Sequence, residues 1–506
     1  MHSPRVLRLP HAVRVPRSGG RERTDDHGTD DSIDRRQVTA PSTDVTPADP
    51  TRTIHTGRTA VVMGAGMAGL LAARVLSDHF DRVTVLERDR LPDGPTRRSG
   101  VPQGDHLHTF LPGGLELADT WFPGLVDELV SRGAHSLRFG QDLVVHRPEG
   151  PSYLAAAHRP EPLVTGVGYL AMSRGLLEHA VRTRVQALPG VDIRDHSVVR
   201  GPLTDDGAVG GVELDGGGRV RGDLVVDAAG RPGRSLGWLA GLGYRPPDES
   251  VVHCDFAYAS AVLRPADPGA LAGGGILVVP DPGGSTPGRG GYITRLEGGL
   301  WIAGLAGRGA DHPPTAPDAW RATGRSLPTP EWDRLVDTAE VVRGPVSFRY
   351  PRSVRRHLER LDRFPDGLLP LGDAVCHVNP LYGHGMTSAA LQARALEQVL
   401  ADRDGRGCDL TGMAHEFFVG AHEATRAPWA LAAGADLLTA GTSGDFPDDE
   451  FENLMRVVRL GAQIDHDADA ASLLVDLFTL RRPWSTLEES PWRERLAPVT
   501  AGAAPV

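Results

Sequence analysis

The sequence predicts an α/β fold. A parallel sheet is interrupted by a mostly antiparallel β-sheet and followed by a helical C-terminus. Three observations carry this expectation. A strand, a glycine loop, a helix and a second strand run from Thr59 to Asp89. Between residues 241 and 360 the texture changes to long strand-like runs parted by Gly and Pro. A later apolar run, Gly367-Leu368-Leu369-Pro370-Leu371-Gly372-Asp373-Ala374, approaches a polar turn and leads into another helix.

The first unit is the most specific. Ala60-Val61-Val62-Met63 is short and apolar enough for a buried strand. Gly64-Ala65-Gly66-Met67-Ala68-Gly69 follows at once, then Leu70 to Leu76 reads as a helix. Val83-Thr84-Val85-Leu86 is a second strand with Glu87 at its end. Gly64 permits the tight turn, Gly66 lets a pyrophosphate approach the backbone, and Gly69 lets the helix pack on the strand. The helix N-terminus offers unpaired N–H groups to phosphates. An acid about twenty residues on accepts from ribose hydroxyls, and Glu87 fits. The pattern therefore points to a Rossmann-like dinucleotide site. The acid disfavours a ribose 2′-phosphate, so FAD or NAD is expected before NADP.

Composition sets outer bounds. The 506 residues suffice for two or three domains. The balance of 54 basic against 65 acidic residues, net −11, makes no case for nucleic acid. Every basic residue other than histidine is Arg. Without lysine, a Walker P-loop and Schiff-base chemistry are excluded. Cys254, Cys376 and Cys408 are far apart and odd in number, which points to a reducing, cytoplasmic setting and to no zinc site. No apolar run has the length of a membrane span; the nearest, Ala427 to Leu438, is broken by Asp436.

In chain order, residues 1–56 lack apolar periodicity and read as a disordered tail, or as a start assigned too early. Residues 57–240 and 361–405 form the discontinuous nucleotide-binding domain, 241–360 a substrate domain, and 406–506 a helical C-terminal region. The loop after Asp89 gathers Arg97, Arg98, Gln103, His106 and His108. Two His two apart lack a third ligand of zinc-like spacing and read as solvated or cofactor-facing groups. Helices are expected over 107–133, over 316–336, and after Ser173, a plausible N-cap. Asp215-Gly216-Gly217 is hairpin chemistry. Leu224 to Gly230 is an apolar strand returning to the first sheet. The aliphatic strands between Val251 and Gly307 are expected to face a pocket as a wall against hydrocarbon. Gly383, Gly385 and Met386 open a helix, a second N-terminus suited to negative charge, and Asp373 ends its strand as Glu87 does.

Taken together, GAGMAG with Glu87, DLVVDAAGR and GDAVCHVNPLYGHGMTSAA resemble the FAD-dependent monooxygenases of the para-hydroxybenzoate hydroxylase fold. Within that group they look like squalene epoxidase and the bacterial polyether epoxidases that act on polyenes. The likeness covers residues 57 to 400 and extends into the helical C-terminus. It implies a Rossmann-like FAD-binding domain of the GR2 type. It also implies that Gly64, Gly66 and Gly69, with Ala65 and Met67, meet the pyrophosphate. Glu87 would hold the adenosine ribose with Arg88 beside the adenine, and Val198 would reach the adenine through its backbone. Arg98 and Arg174 would touch FAD, and Asp373 its ribityl or pyrophosphate oxygens. Pro380 and Gly383 match the family's third motif, where Gly385 and Met386 would offer N–H groups to the flavin. No catalytic side chain is named; His384 and Asn379 lie on the right loop and read as structural.

The activity so implied inserts one oxygen atom from dioxygen through a C4a-hydroperoxyflavin. The substrate would be an alkene in an apolar polyketide or terpenoid secondary metabolite. Electrons would come from NAD(P)H or a separate flavin reductase. Asp-Ala-Ala-Gly-Arg at 227–231 departs from the usual Asp-Gly form and weakens the NADPH-linked role. Aromatic hydroxylation, double-bond reduction of the geranylgeranyl reductase kind, and a non-catalytic prenyl carrier are the alternatives. A flavin halogenase would need a lysine and a Trp-x-Trp-x-Ile-Pro stretch, both missing.

Overall fold

The computed structural model describes residues 57–139, 141–147, 150–151, 168–271, 274–279, 289–329, 331–464 and 467–498. The tail expected over 1–56 lies outside them. The described chain is α/β. A parallel sheet runs in the order Leu368–Pro370, Leu224–Asp227, Gly57–Met63, Phe80–Leu86, Val191–Arg194. At its centre the stretches Ala60–Met63 and Leu224–Val226 are apolar because both faces are covered. Val61, Val62, Val225 and Val226 are fully buried. The Met67–Leu76 helix packs on this sheet and against the long Gly385–Arg406 helix. The sheet thus draws together segments more than 300 residues apart in sequence, from strands too short to be stable alone.

The second layer is a larger sheet. Its order is Cys376–His377, Glu340–Arg356, Glu249–Arg264, Trp301–Arg308, Gly290–Arg295, Gly275–Val278, Leu143–Arg147, Gly150–Pro151. All pairs are antiparallel except Gly275–Val278 with Leu143–Arg147. Leu143–Arg147 precedes the strand-rich region in sequence yet joins its sheet.

Strand alternation sorts the Glu249–Arg264 side chains between two faces. Ala259, Ala261 and Leu263 join Ala303, Leu305 and Ile293 in a core closed by Trp320 and Trp332. Those tryptophans come from the Pro317–Gly324 and Glu331–Val336 helices. The single helix expected over 316–336 is therefore two; Pro328 stands between them and cannot continue one. The other face carries Cys254, Phe256, Tyr258 and Tyr350.

Local signals hold elsewhere. Ser173 accepts a hydrogen bond from Leu176 N at 3.1 Å and caps the Arg174–Gln186 helix. Gly216 and Gly217, both at positive φ, turn the chain between the antiparallel strands Ala208–Leu214 and Arg219–Arg221. The C-terminal region is helical: Met413–Trp429, a π turn at Ala430–Gly434, Asp448–Gly461 and Ala468–Phe478. Among the described residues no helix is long and apolar enough to cross a membrane.

Candidate functional site

The carboxyl ends of the parallel strands open onto one cavity, as expected for a sheet of this kind. Gly64 follows Met63 at φ +101°, and a Cβ there would lie 2.7 Å from the Ala228 carbonyl oxygen. Gly69 is equally constrained: its Cβ would stand 1.8 Å from Gly64 O. Gly66 differs. Its φ is −77°, and its Cβ would meet nothing nearer than Arg98 Nη2 at 3.9 Å. The helix that Gly66 caps has no side-chain cap and no acid in its first turn. Its N–H groups remain available to an anion.

Glu87 ends the neighbouring strand and is buried. Its Oε2 accepts from Ala65 N at 2.8 Å and from Arg98 Nη1 at 2.9 Å, and its Oε1 from Asp89 N at 3.0 Å. One carboxylate lone pair remains for a further donor. Arg98 also pairs with Asp89 at 3.2 Å and Glu178 at 2.7 Å. Burial works against the Arg98 charge, but Glu178 and Glu87 outweigh it and raise the pKa. Burial likewise opposes ionisation of Glu178, which Arg174 and Arg98 nevertheless hold below the usual carboxylate range.

The third motif builds the far end. Gly372, at φ +72°, packs on Ala68, and its N–H donates to Gln392 Oε1 at 2.8 Å. Asp373 follows, half-buried on the cavity wall. Burial pushes its pKa up, against the pull of Arg231, Arg174 and Arg356. Asn379 accepts from Leu381 N at 3.1 Å and donates to both Asp436 oxygens, at 3.2 and 3.1 Å. Tyr382 OH and Arg308 also donate to the buried Asp436 carboxylate. The π turn just before Asp436 brings it to this loop. His384 donates Nε2–H to Phe478 O at 3.0 Å. The Gly385–Arg406 helix then begins without a side-chain cap or an early acid, and nothing lies within 4 Å of a Cβ built on Gly385. Met386 Sδ rests 2.6 Å from Arg174 Nη1.

The wall given by the large sheet corrects the expectation of aliphatic strands facing a pocket. Of residues 251–307, Tyr258 reaches the cavity, while alternation turns Ala259, Ala261 and Leu263 into the opposite core. The cavity face is aromatic and polar: Tyr258, Phe348, Tyr350, His108, His377 and Arg231. Tyr258 and Phe348 stack with centroids 5.6 Å apart, and His106 meets Tyr258 edge-on at 4.4 Å. His106 Nδ1 lies 2.7 Å from Ser260 Oγ, which is 2.6 Å from Tyr292 OH. His108 donates Nδ1–H to His106 O at 3.1 Å, and His377 Nδ1 is 2.6 Å from Tyr350 OH. Burial drives these imidazoles down, His106 to about 4 and His108 and His377 to about 3.

The cavity is lined by Gly64, Gly66, Met67, Glu87, Arg88, Arg98, Arg174, Val198, Asp373, Pro380, Gly383, Gly385 and Met386. Ala65 and Gly69, expected with them, sit behind: Ala65 is buried and holds Glu87, and Gly69 packs on Gly64. The Val198 carbonyl is taken by Asp215 N at 2.8 Å. His384 and Asn379 are fully buried and brace the loop. Sequence reasoning missed Tyr258, Phe348, Tyr350 and His377. The aromatic pairs 256/258 and 348/350, two apart on strands, were the available signal.

Two open, uncapped helix N-termini and two strand-end carboxylates share one cavity, an arrangement suited to an anionic ligand. The fold is one that solved structures of flavin-dependent enzymes share. Among solved structures, the flavin-dependent brominase Bmp2 superposes with TM-score 0.57 at 15% identity, covering 83% of this chain and 92% of that one. The p-nitrophenol 4-monooxygenase PnpA of Pseudomonas putida superposes with TM-score 0.55 at 19% identity, covering 84% and 100%. At such identities the likeness is one of fold. In sequence, the chain is 36% identical to Protein Rv3254 of Mycobacterium tuberculosis over 363 residues, 68% of this chain and 73% of that protein. It belongs to the same family as Protein Rv3254. It is also 28% identical over 352 residues to digeranylgeranylglycerophospholipid reductase 2 of Methanopyrus kandleri, covering 68% and 76%. No protein-family model matches the chain.

Proposed function

We propose that the chain is an FAD-dependent monooxygenase that epoxidises an alkene in an apolar polyketide or terpenoid metabolite. The observation that carries the first part is the pair of open helix N-termini, at Gly66 and Gly385, on one cavity. In this reading residues 57–240 and 361–405 hold the cofactor, 241–360 face the substrate, and 406–506 brace the third motif. Gly64, Gly66 and Met67 seat the pyrophosphate beside Arg98, and Ala65 and Gly69 fix that turn from behind. Glu87, Arg88 and Val198 take the adenosine end. Asp373 accepts from ribityl hydroxyls, and Arg174, Pro380, Gly383, Gly385 and Met386 surround the flavin. Bound there, the flavin supplies the reaction with dioxygen and the oxygen transfer. The backbone N–H groups at Gly385 and Met386 stabilise negative charge on the ring, and Tyr258 and Phe348 exclude water.

The choice of an alkene rests on the motif likeness to polyene epoxidases, and the cavity's two histidines agree with it. A phenol must lose its proton to become reactive, and a useful general base has a pKa near the working pH. His108 and His377 are pushed to about 3, so neither suits that task. The π electrons of an alkene need no base. Turnover with a polyene under isotopically labelled dioxygen tests this: one labelled oxygen bridging two former alkene carbons is expected, and label on an aromatic ring would refute it. Electrons from NAD(P)H or from a partner reductase are told apart by whether NAD(P)H alone bleaches the flavin.

One observation favours a second reading. The reductase relative from Methanopyrus kandleri is named for acting on geranylgeranyl chains. A flavin-dependent double-bond reductase would give product without dioxygen, and anaerobic turnover separates the two.

A further inference from the structure

We propose that Arg231 anchors an anionic head group, so that the substrate is amphipathic: a hydrocarbon bearing one carboxylate. This deepens the monooxygenase reading and rests on it. Arg231 stands on a built loop. The buried Asp227 carboxylate accepts from Ala229 N at 3.0 Å and Ser235 N at 2.7 Å, clamping the loop at both ends. Arg356 donates to the Arg231 carbonyl at 3.4 Å and to Ala374 O at 2.9 Å, tying the loop to the third motif. The guanidinium lies over two rings of the large sheet, 5.3 Å from the Phe348 centroid and 5.5 Å from the Tyr350 centroid.

Its charge is not matched. Arg98 pairs with Glu87, Asp89 and Glu178, Arg174 with Glu178, and Arg308 with Asp436. Among the described residues no carboxylate lies within ion-pair distance of the half-buried Arg231. Asp373 feels its field from the same cavity without pairing to it. A guanidinium partly withdrawn from water and set on aromatic faces gains most from a carboxylate that its fork can hold in two places. The cofactor's pyrophosphate is the other anion in reach of the cavity. Its seat is at Gly66 beside Arg98, whereas Arg231 stands on the aromatic wall with Tyr258, Tyr350 and His377. That wall is where a substrate lies.

The test uses the FAD-loaded full chain. Geranate, a terpenoid acid, and its methyl ester are titrated while flavin absorbance is followed. The acid should bind about tenfold to a hundredfold more tightly than the ester, as one charge-assisted contact allows. Arg231→Gln should abolish that preference with flavin content unchanged, and Arg231→Lys should keep part of it. Equal binding of acid and ester, no response to either, or a preference that survives in Arg231→Gln overturns the proposal. Loss of FAD in Arg231→Gln also overturns it, by giving the guanidinium to the cofactor. A parent chain that never takes up FAD overturns the monooxygenase reading itself, and the proposal with it.

Discussion

Two glycines of the first loop should fail in opposite ways when substituted. At Gly66 the backbone is extended, and the nearest atom to a new Cβ is the end of a flexible arginine 3.9 Å away. Gly66→Val therefore meets no clash in the protein itself. Its cost is the poorer N-cap, about 1 kcal/mol or less. The new side chain instead fills the space in front of the helix N-terminus. If two charge-assisted contacts to a phosphate are lost there, at about 1.5 to 3 kcal/mol each, FAD affinity falls by about a hundredfold or more. At Gly69 the added Cβ would lie 1.8 Å from Gly64 O, a backbone atom that cannot swing away. Gly69→Ala should thus cost about 1 to 3 kcal/mol or more in the protein without cofactor. Urea unfolding followed by tryptophan fluorescence reads the stability, and flavin absorbance of the purified proteins reads the loading. The expected pattern is a stable, colourless Gly66→Val and a destabilised Gly69→Ala. A fully yellow Gly66→Val would refute the reasoning.

Other outcomes follow from the buried charges. Asp373→Ala should weaken FAD binding by about 1 to 3 kcal/mol. The raised folded pKa of Asp373 means that its contribution to stability is full below about 3.8 and is lost as pH rises through the folded value. Asp373→Asn without FAD should then be at least as stable as the parent at neutral pH, and a clear loss in thermal unfolding would contradict this. Asp436→Ala leaves Arg308 buried without its partner and should cost about 3 to 5 kcal/mol in denaturant unfolding; a loss under 1 kcal/mol would show that Asn379 and Tyr382 hold the loop without it. His106, His108 and His377 have depressed pKa values. Their contribution to stability should be full above about 6.5 and fall as pH drops toward 4 and 3. His377→Phe should flatten that acid slope, and an unchanged slope would argue against a buried neutral imidazole.

The parts legible in the sequence were those whose chemistry is local. Gly64, Gly66, Gly69 and Glu87 act within one strand–turn–helix unit, so their spacing alone announces the turn, the open approach and the close packing. Ser173 and Gly216 were readable for the same reason. The substrate wall was not. Composition showed that the Glu249–Arg264 strand is apolar, but not which of its two faces meets the cavity. That depends on its pairing with Trp301–Arg308 and Glu340–Arg356, and on the covering tryptophans at 320 and 332. Asp436 first read only as a charge breaking an apolar stretch. Its partners Arg308, Asn379 and Tyr382 come from distant segments, and no local spacing encodes such a cluster.

The contact between His384 and Phe478 sets a schedule for how the protein is made. The first loop of the cavity, from Gly64, leaves the ribosome early. The last is steadied only once Phe478 and Thr479 can accept from His384 and Gly113. Until then the growing chain lacks the partners that hold the third-motif loop. If the proposed site holds FAD, flavin capture should follow release rather than elongation. A ribosome-stalled chain ending before residue 478 should stay colourless in a pool of FAD that turns the released chain yellow.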